Sequence, residues 1–394
     1  MSNNIKLSSI DLERIVISKK NRYKLNIVEK TEIKKKLSNQ IILIIGACGS
    51  IGKLFVKEIY KFNFKKIYLL DKNENDLVEL NRDLILLNKK KIIKTNFICT
   101  DITSFNLDQF LSNQKITHYF NFAAIKHVRS EEYLESIKYM FKTNSLKFCP
   151  KKKNFLKLFF SISSDKAVLP QSLLGISKHL MEQKLSEFSK KNKPVFVSSV
   201  RFANVCFSEG SYLKYAKERI EKKITFGLPL NIKRFFITHE EAISLCFKSI
   251  LKRNRNKILM PSNKVLNQEF SLSFIIEKIL NLYGFKIKYS KKISRVTGSV
   301  FPVVISNHEI EGQKGYEEFF DKKKDKVNYD KDKKTMKINL NNNIDVSKLI
   351  SNLQIKKTKA DIIKLIRTKI KTFKQQKKSI KVSHLVWLLK DWLV

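Results

Sequence analysis

The sequence predicts an α/β protein, a doubly wound parallel sheet carrying a smaller mixed C-terminal lobe. Three observations carry this prediction. Short β-branched and leucine runs alternate with helical periodicities through the first half of the chain, the pattern of consecutive βαβ units. Three glycines, Gly46, Gly49 and Gly52, stand between the first such run and the helical stretch after it, although the 394 residues include only 10 glycines. Asp71 closes the next strand, 19 residues after Gly52.

The elements follow in order. Residues 1–38 are polar, with apolar positions at helical spacing, and read as an N-terminal helical extension. Ile41–Ile45 is an unbroken apolar run, suited to a parallel strand buried on both faces. Residues 53–62 have helical period, Lys66–Asp71 is a second strand and 74–87 a second helix. Residues 96–99, 119–123, 156–161 and 195–201 are the next strands, with a long helix over 172–190. A cofactor-binding domain over 39–205 results. Residues 206–320 mix helices (212–222, 240–251, 271–283) with short strands and form the substrate lobe. Residues 321–345 are rich in Lys, Asp and Asn and read as a charged linker. In the basic segment 346–394, Ile362, Ile363, Ile366, Ile370 and Phe373 mark one face of a helix.

The composition excludes wholesale disorder, since 43% of residues are hydrophobic. The net charge of +43 first suggests a nucleic acid or an anionic membrane. Only 11 of the 79 basic residues are Arg, however, and Ile, Asn and Phe are abundant beside Lys while Gly and Pro are scarce. That is the signature of AT-rich codons, so most of the charge is compositional. No specific nucleic-acid partner is expected: Phe373 alone among residues 346–381 offers a stacking ring. Peripheral contact with an anionic membrane is the weaker expectation. Five cysteines far apart form no disulfide or zinc pattern, and no metal site is expected. The polar first residues and the lack of a run near ~20 apolar residues lead to the expectation of a cytoplasmic protein.

The glycine loop has a defined chemistry. Gly46 permits a tight turn, Gly49 lets a pyrophosphate approach the backbone, and Gly52 lets helix and strand pack closely. Ser50 and Ile51 open the helix whose N-terminus holds the anion. Asp71 stands where an acid accepts hydrogen bonds from the adenosine ribose, so the expected cofactor is NAD or NADP, with NAD favoured. Lys72 beside it keeps NADP open. Asp101 and Ile102 follow the third strand, where the adenine is contacted, and Ala123 ends the fourth with a small side chain that admits the cofactor. This is a Rossmann-type arrangement. The GxxGxxG spacing points to the short-chain dehydrogenase/reductase branch.

The second constellation is SSDKAVLPQSLLGISK, residues 163–178. It resembles the STDKA…P…MGA(S/T)K signature of CapD-like polysaccharide-biosynthesis proteins, which are similar to UDP-N-acetylglucosamine 4,6-dehydratases. Further segments match in order: KHV at 126–128, KTN at 142–144, RFANV at 201–205, RFFIT at 234–238 and GQKGYEE at 312–318. The resemblance covers residues 40–320. It implies transient oxidation of a sugar at carbon 4, loss of water across carbons 5 and 6, and return of the hydride. Such chemistry needs an acid and a base besides the groups that oxidise. By resemblance, Lys166 is the base at carbon 5, Asp165 the acid at carbon 6, and Ser164 the hydroxyl that bonds the carbon 4 oxygen. Lys178 holds the nicotinamide ribose. A UDP-sugar substrate and a homo-oligomer are implied.

On the substrate side, Arg201 or Arg234 suits a diphosphate through a bidentate fork. Asn204 and Lys126 are candidates to bond the nucleotide-sugar, whereas His127 reads as structural. Lys314 and Glu317 rest on resemblance alone. Three departures stand out. Leu174 replaces the family's Tyr or Met, the segment from Asn144 to Ser163 is short and contains Pro150, and GEK has become Gly312-Gln313-Lys314. They raise the alternative of a non-catalytic NAD-binding relative; within the enzyme class the alternative is a nucleotide-sugar epimerase, which shares the fold, the cofactor and the oxidation at carbon 4.

Overall fold

The computed structural model describes residues 7–340 apart from 19, 128–130, 132, 203, 231, 263–269, 293–295, 297 and 307–316. In chain order the elements are α1 (Ser9–Val16), α2 (Ile27–Leu37), β1 (Ile41–Ile45), α3 (Ser50–Ile59), β2 (Lys66–Asp71), α4 (Glu74–Asn88), β3 (Thr95–Cys99), α5 (Leu107–Asn113), β4 (His118–Asn121), α6 (Leu134–Phe141), β5 (Leu158–Ser164), α7 (Leu173–Lys191) and β6 (Phe196–Phe202). Then come β7 (Asn204–Val205), α8 (Tyr212–Glu221), β8 (Gly227–Leu228), β9 (Lys233–Arg234), β10 (Phe236–Ile237), α9 (His239–Ser249), β11 (Lys257–Pro261), β12 (Phe270–Ser271), α10 (Leu272–Leu282), β13 (Lys286–Ser290), β14 (Val300–Ile305), β15 (Asn328–Tyr329) and β16 (Thr335–Asn339).

The main sheet has the order β15-β16-β11-β6-β5-β4-β1-β2-β3. From β3 to β11 every pairing is parallel. The order 3-2-1-4-5-6 is that of a dinucleotide-binding fold, with its switch point between β1 and β4. Ile42 to Ile45 are buried because helices cover both faces of β1. Phe55 from α3 meets Phe120, Phe122, Phe160 and Phe247, which ties one helical layer to the strands. A second core gathers Leu213, Ile220, Phe226, Ile275, Ile279 and Phe301 in the smaller lobe.

The structure corrects the division of the chain in three places. Residues 321–345 are not simply a solvated linker: within them, β15 and β16 extend the main sheet, β16 pairing antiparallel with β11. Met336 and Ile338 alternate with Lys337 and Asn339, and both apolar side chains are buried. Period-two burial is thus hidden in a Lys/Asn-rich stretch. Residues 206–320 are likewise not one lobe, because α9 and β11 return to the main core. The N-terminal extension is divided. Leu12 and Val16 of α1 enter the smaller core, while Tyr23, Ile33 and Leu37 enter the larger. Buried charge pairs fix it to α9, with Arg22 Nε 2.7 Å from Glu241 and Lys248 Nζ 2.9 Å from Glu29. Among the described residues no helix is long and apolar enough to cross a membrane. The segment 346–394 lies outside the described residues.

Candidate active site

The glycine loop leaves β1 at the switch point. Gly46 has φ +75, and a Cβ there would lie 2.5 Å from the Ala123 nitrogen. A Cβ on Gly52 would lie 2.0 Å from the Gly46 oxygen. Gly49 differs: its added Cβ meets only that oxygen, at an ordinary 3.6 Å, and faces open space otherwise. Gly49 is also the N-cap of α3, and no side chain caps that terminus. The first N–H groups of α3 therefore face a cradle without a side-chain acceptor, which fits an anionic pyrophosphate. The Ser50 hydroxyl accepts the Glu209 N–H at 2.8 Å, joining the loop to the turn after β7, and Ile51 packs half-buried behind it.

Asp71 ends β2 with its carboxylate accepting the Cys48 N–H at 2.9 Å and the Asn73 N–H at 3.1 Å. It thereby lies against the glycine loop, where a ribose would stand. Asp101 accepts the Thr103 N–H at 2.8 Å and the Tyr139 hydroxyl, and Ile102 is buried beside it. Lys72 donates to the same Tyr139 oxygen at 3.2 Å. Burial and Asp101 raise the Tyr139 pKa. Sequence reasoning missed Tyr139; its aromatic ring two helical turns into α6 gave no distinguishing signal.

β5 ends at Ser164, and Asp165–Ala167 forms a single 3₁₀ turn. The Ser164 hydroxyl accepts the Lys166 N–H at 3.2 Å and so caps the turn that carries Asp165 and Lys166. Lys166 Nζ stands 3.7 Å from Asp165 Oδ1; the lysine side chain is 36% exposed and the aspartate 8%. Helix α7 packs directly on this turn, since a Cβ on Gly175 would come 2.6 Å from the Lys166 carbonyl oxygen. The same helix carries Lys178, whose ammonium is buried and donates to the Ile162 carbonyl at 3.3 Å. Burial pushes the Lys178 pKa down to about 8, against an opposing pull from Glu182. Leu174 is buried and its N–H is bound by Glu131 Oε1 at 2.9 Å, so the Tyr/Met position serves packing.

The start of the Asn144–Ser163 segment is firmly anchored. α6 runs on through one π-helical turn, Lys142–Leu146. Asn144 bonds both backbone groups of Ile125 and the Ser177 hydroxyl, each at 2.9 Å. Phe148 is fully buried, and its carbonyl takes the Tyr119 hydroxyl at 2.9 Å.

On the substrate side one expectation is overturned. Arg201 is not presented to a diphosphate. Its Nε and Nη2 bind the two oxygens of Glu182 at 2.8 and 2.7 Å, and its Nη1 binds the Phe319 carbonyl at 2.6 Å. Desolvation of a lone guanidinium would be prohibitive, and the buried partner answers it. Glu182 also takes the Ser163 hydroxyl at 2.6 Å. Sequence reading missed Glu182, although an acid four residues after Lys178 was a usable signal. Asn204 and Arg234 converge on Glu317: Asn204 Nδ2 donates to Glu317 Oε1, and Arg234 Nε lies 3.8 Å from it. Lys126 is an exposed residue, yet partial desolvation of its ammonium lowers its pKa, with Glu209 opposing and Lys214 and Lys166 adding to the effect. The His127 ring occupies the place of an absent side chain at Gly210, 2.3 Å from where its Cβ would be, a packing role. Lys314, Val128 and Ala203 lie outside the described residues.

The comparisons with known proteins bear on the family and the fold. A family described as polysaccharide biosynthesis protein matches residues 42–340. An uncharacterized membrane protein of Methanocaldococcus jannaschii is 34% identical over 266 residues, 65% of this chain and 76% of that protein. The capsular polysaccharide biosynthesis protein CapD of Staphylococcus aureus is 29% identical over 221 residues, covering 55% of this chain and 37% of CapD. The match thus spans well under half the length of that relative. The solved UDP-Glc/GlcNAc 4-epimerase of Campylobacter jejuni superposes with TM-score 0.54 at 18% identity, over 70% of this chain and 89% of that one. At that identity the likeness shows the fold.

Proposed function

The chain belongs to the family of polysaccharide biosynthesis proteins, and on that premise we propose that it is an NAD-binding nucleotide-sugar 4,6-dehydratase. Its substrate in this reading is UDP-N-acetylglucosamine or a similar UDP-sugar. The observation that carries the reading is the Asp165–Lys166 turn at the carboxyl end of β5, with α7 packed on it through Gly175 and Lys178 buried alongside.

NAD, when bound, takes up and returns the hydride. The loop of Gly46, Gly49 and Gly52 and the N-terminus of α3 would hold its pyrophosphate, Asp71 its ribose, and Asp101 and Ile102 its adenine. Lys178 would hold the nicotinamide ribose, and its positive charge would stabilise a nearby oxyanion. Ser164 orients the sugar's carbon 4 oxygen. Lys166 removes the carbon 5 proton once that carbon is made acidic by the neighbouring ketone. Asp165 gives a proton to the carbon 6 hydroxyl as it leaves as water. The two side chains come from one turn, so one sugar, with carbon 5 in the ring and carbon 6 just outside it, can meet both. Asn204 and Arg234 orient the nucleotide-sugar diphosphate.

The test is incubation of purified protein with UDP-N-acetylglucosamine in deuterated water, followed by NMR. A 4-keto-6-deoxy sugar with deuterium at carbon 5 is expected. Lys166→Ala is expected to lose water elimination by ~10²–10⁴-fold while still reducing NAD in the first step. A 4-epimer as sole product would replace this reading with the epimerase, which needs no acid and base at carbons 6 and 5. NAD binding without any turnover would point to a non-catalytic relative.

A further inference from the structure

Lys72 follows Asp71 directly, at the place from which a cation meets a phosphate on the 2′ oxygen of an adenosine ribose. Its side chain is engaged elsewhere. The ammonium donates to the Tyr139 hydroxyl at 3.2 Å and stands 5.0 Å from the centre of the same ring. The Tyr139 hydroxyl in turn donates to Asp101 Oδ2. A phenol has one proton to give, so with that proton on Asp101 its oxygen is left as an acceptor for Lys72. Burial, and then the Asp101 bond, raise the Tyr139 pKa, which keeps the proton in place at neutral pH.

Each member of this chain of contacts is fixed by its own element. Ile137 and Met140 are buried to either side of Tyr139 in sequence and seat α6 on the core. Asp101 accepts the Thr103 N–H at 2.8 Å. The Lys72 carbonyl accepts the Cys99 thiol at 3.7 Å, which ties the Lys72 backbone to the end of β3. Asp71 faces the other way, onto the glycine loop, through the Cys48 N–H at 2.9 Å. A ribose hydroxyl would find an acceptor in Asp71, whereas a 2′-phosphate would meet a like charge while the adjacent lysine is bound to α6.

We propose that Tyr139 is a positioning residue for cofactor choice: bound to Asp101, it holds the Lys72 ammonium on the α6 side of the site, so that Asp71 meets the ribose and NAD is taken over NADP. The proposal rests on the reading of the glycine loop and Asp71 as the dinucleotide site.

Calorimetry of the cofactor-free full chain with NAD and with NADP tests this without turnover. The wild type should bind NAD tighter by about tenfold or more. Tyr139→Phe keeps the ring and removes the hydroxyl; Tyr139→Leu removes both. The affinity for NADP relative to NAD should rise about threefold in the first and about tenfold in the second. Lys72→Gln by itself should leave that ratio within about twofold, because the ammonium is not offered to the phosphate; combined with Tyr139→Leu it should erase the gain. If Tyr139 only supports the fold, its variants weaken both dinucleotides in proportion, and an unmoved ratio overturns the proposal. A wild type that binds NADP as tightly as NAD overturns it too, as does a loss of NADP affinity of about tenfold in Lys72→Gln alone. In those cases the dinucleotide site itself stands. A chain that binds neither NAD nor NADP refutes the site and the proposal together.

Discussion

The three loop glycines divide into two physical classes. Gly46 and Gly52 are sterically obligatory, since their absent side chains are replaced by backbone at 2.5 and 2.0 Å. Gly49 is obligatory only for a ligand. Gly49→Val is expected to keep the thermal midpoint within a few degrees and abolish NAD binding by calorimetry, whereas Gly46→Ala and Gly52→Ala should lower the midpoint outright. Lys178 supplies a second contrast. Its pKa falls from 10.5 to about 8 on burial, so the folded state binds protons less well than the unfolded chain. Stability from this group therefore rises with pH between about 8 and 10.5, and the penalty is complete below 8. Lys178→Met should stabilise the cofactor-free protein at pH 7 by up to ~3 kcal/mol, with the gain vanishing near pH 10, while activity is lost. Urea unfolding at several pH values checks the sign.

At the scale of elements, the Glu182–Arg201 pair does what no single strand does. It links α7 to β6, takes a hydroxyl from β5 and reaches the Phe319 carbonyl after the smaller lobe. Both members are buried, so removing one leaves an uncompensated charge. Glu182→Ala is expected to destabilise by ~3–5 kcal/mol in denaturant titrations, more than a surface pair would. The sequence made Arg201 look like a diphosphate ligand because arginine is rare in this chain. Its rarity did mark a specific role, but bidentate geometry serves a buried carboxylate as well as a phosphate. Which of the two an arginine meets depends on what packs opposite, and Glu182 is opposite only once α7 lies across the sheet. Asn204 and Arg234 pose the same ambiguity, and the fold brings both to Glu317.

Across the whole molecule, the first and last described elements complete the smaller core and the edge of the main sheet. Truncation after residue 345 removes no described strand, and turnover is expected to fall no more than a few-fold. Truncation after residue 327 removes β15 and β16, bares the edge of β11 and its residues Met260 and Ile258, the register partners of Met336 and Ile338, and should give aggregated protein by size exclusion. By itself the sequence determined the doubly wound sheet, the glycine loop between a strand and a helix, and the end of β5 at Ser164, because these depend on local signals. An apolar run, a glycine triplet or a lysine four residues into a helix is legible wherever the chain lies. It did not show that a Lys/Asn-rich stretch pairs with β11, that Arg201 is neutralised, or that Glu317 meets Asn204 and Arg234. Those outcomes belong to the tertiary structure. A strand with weak β propensity is stabilised by the edge it finds, and a buried charge takes its state from partners that adjoin only after folding.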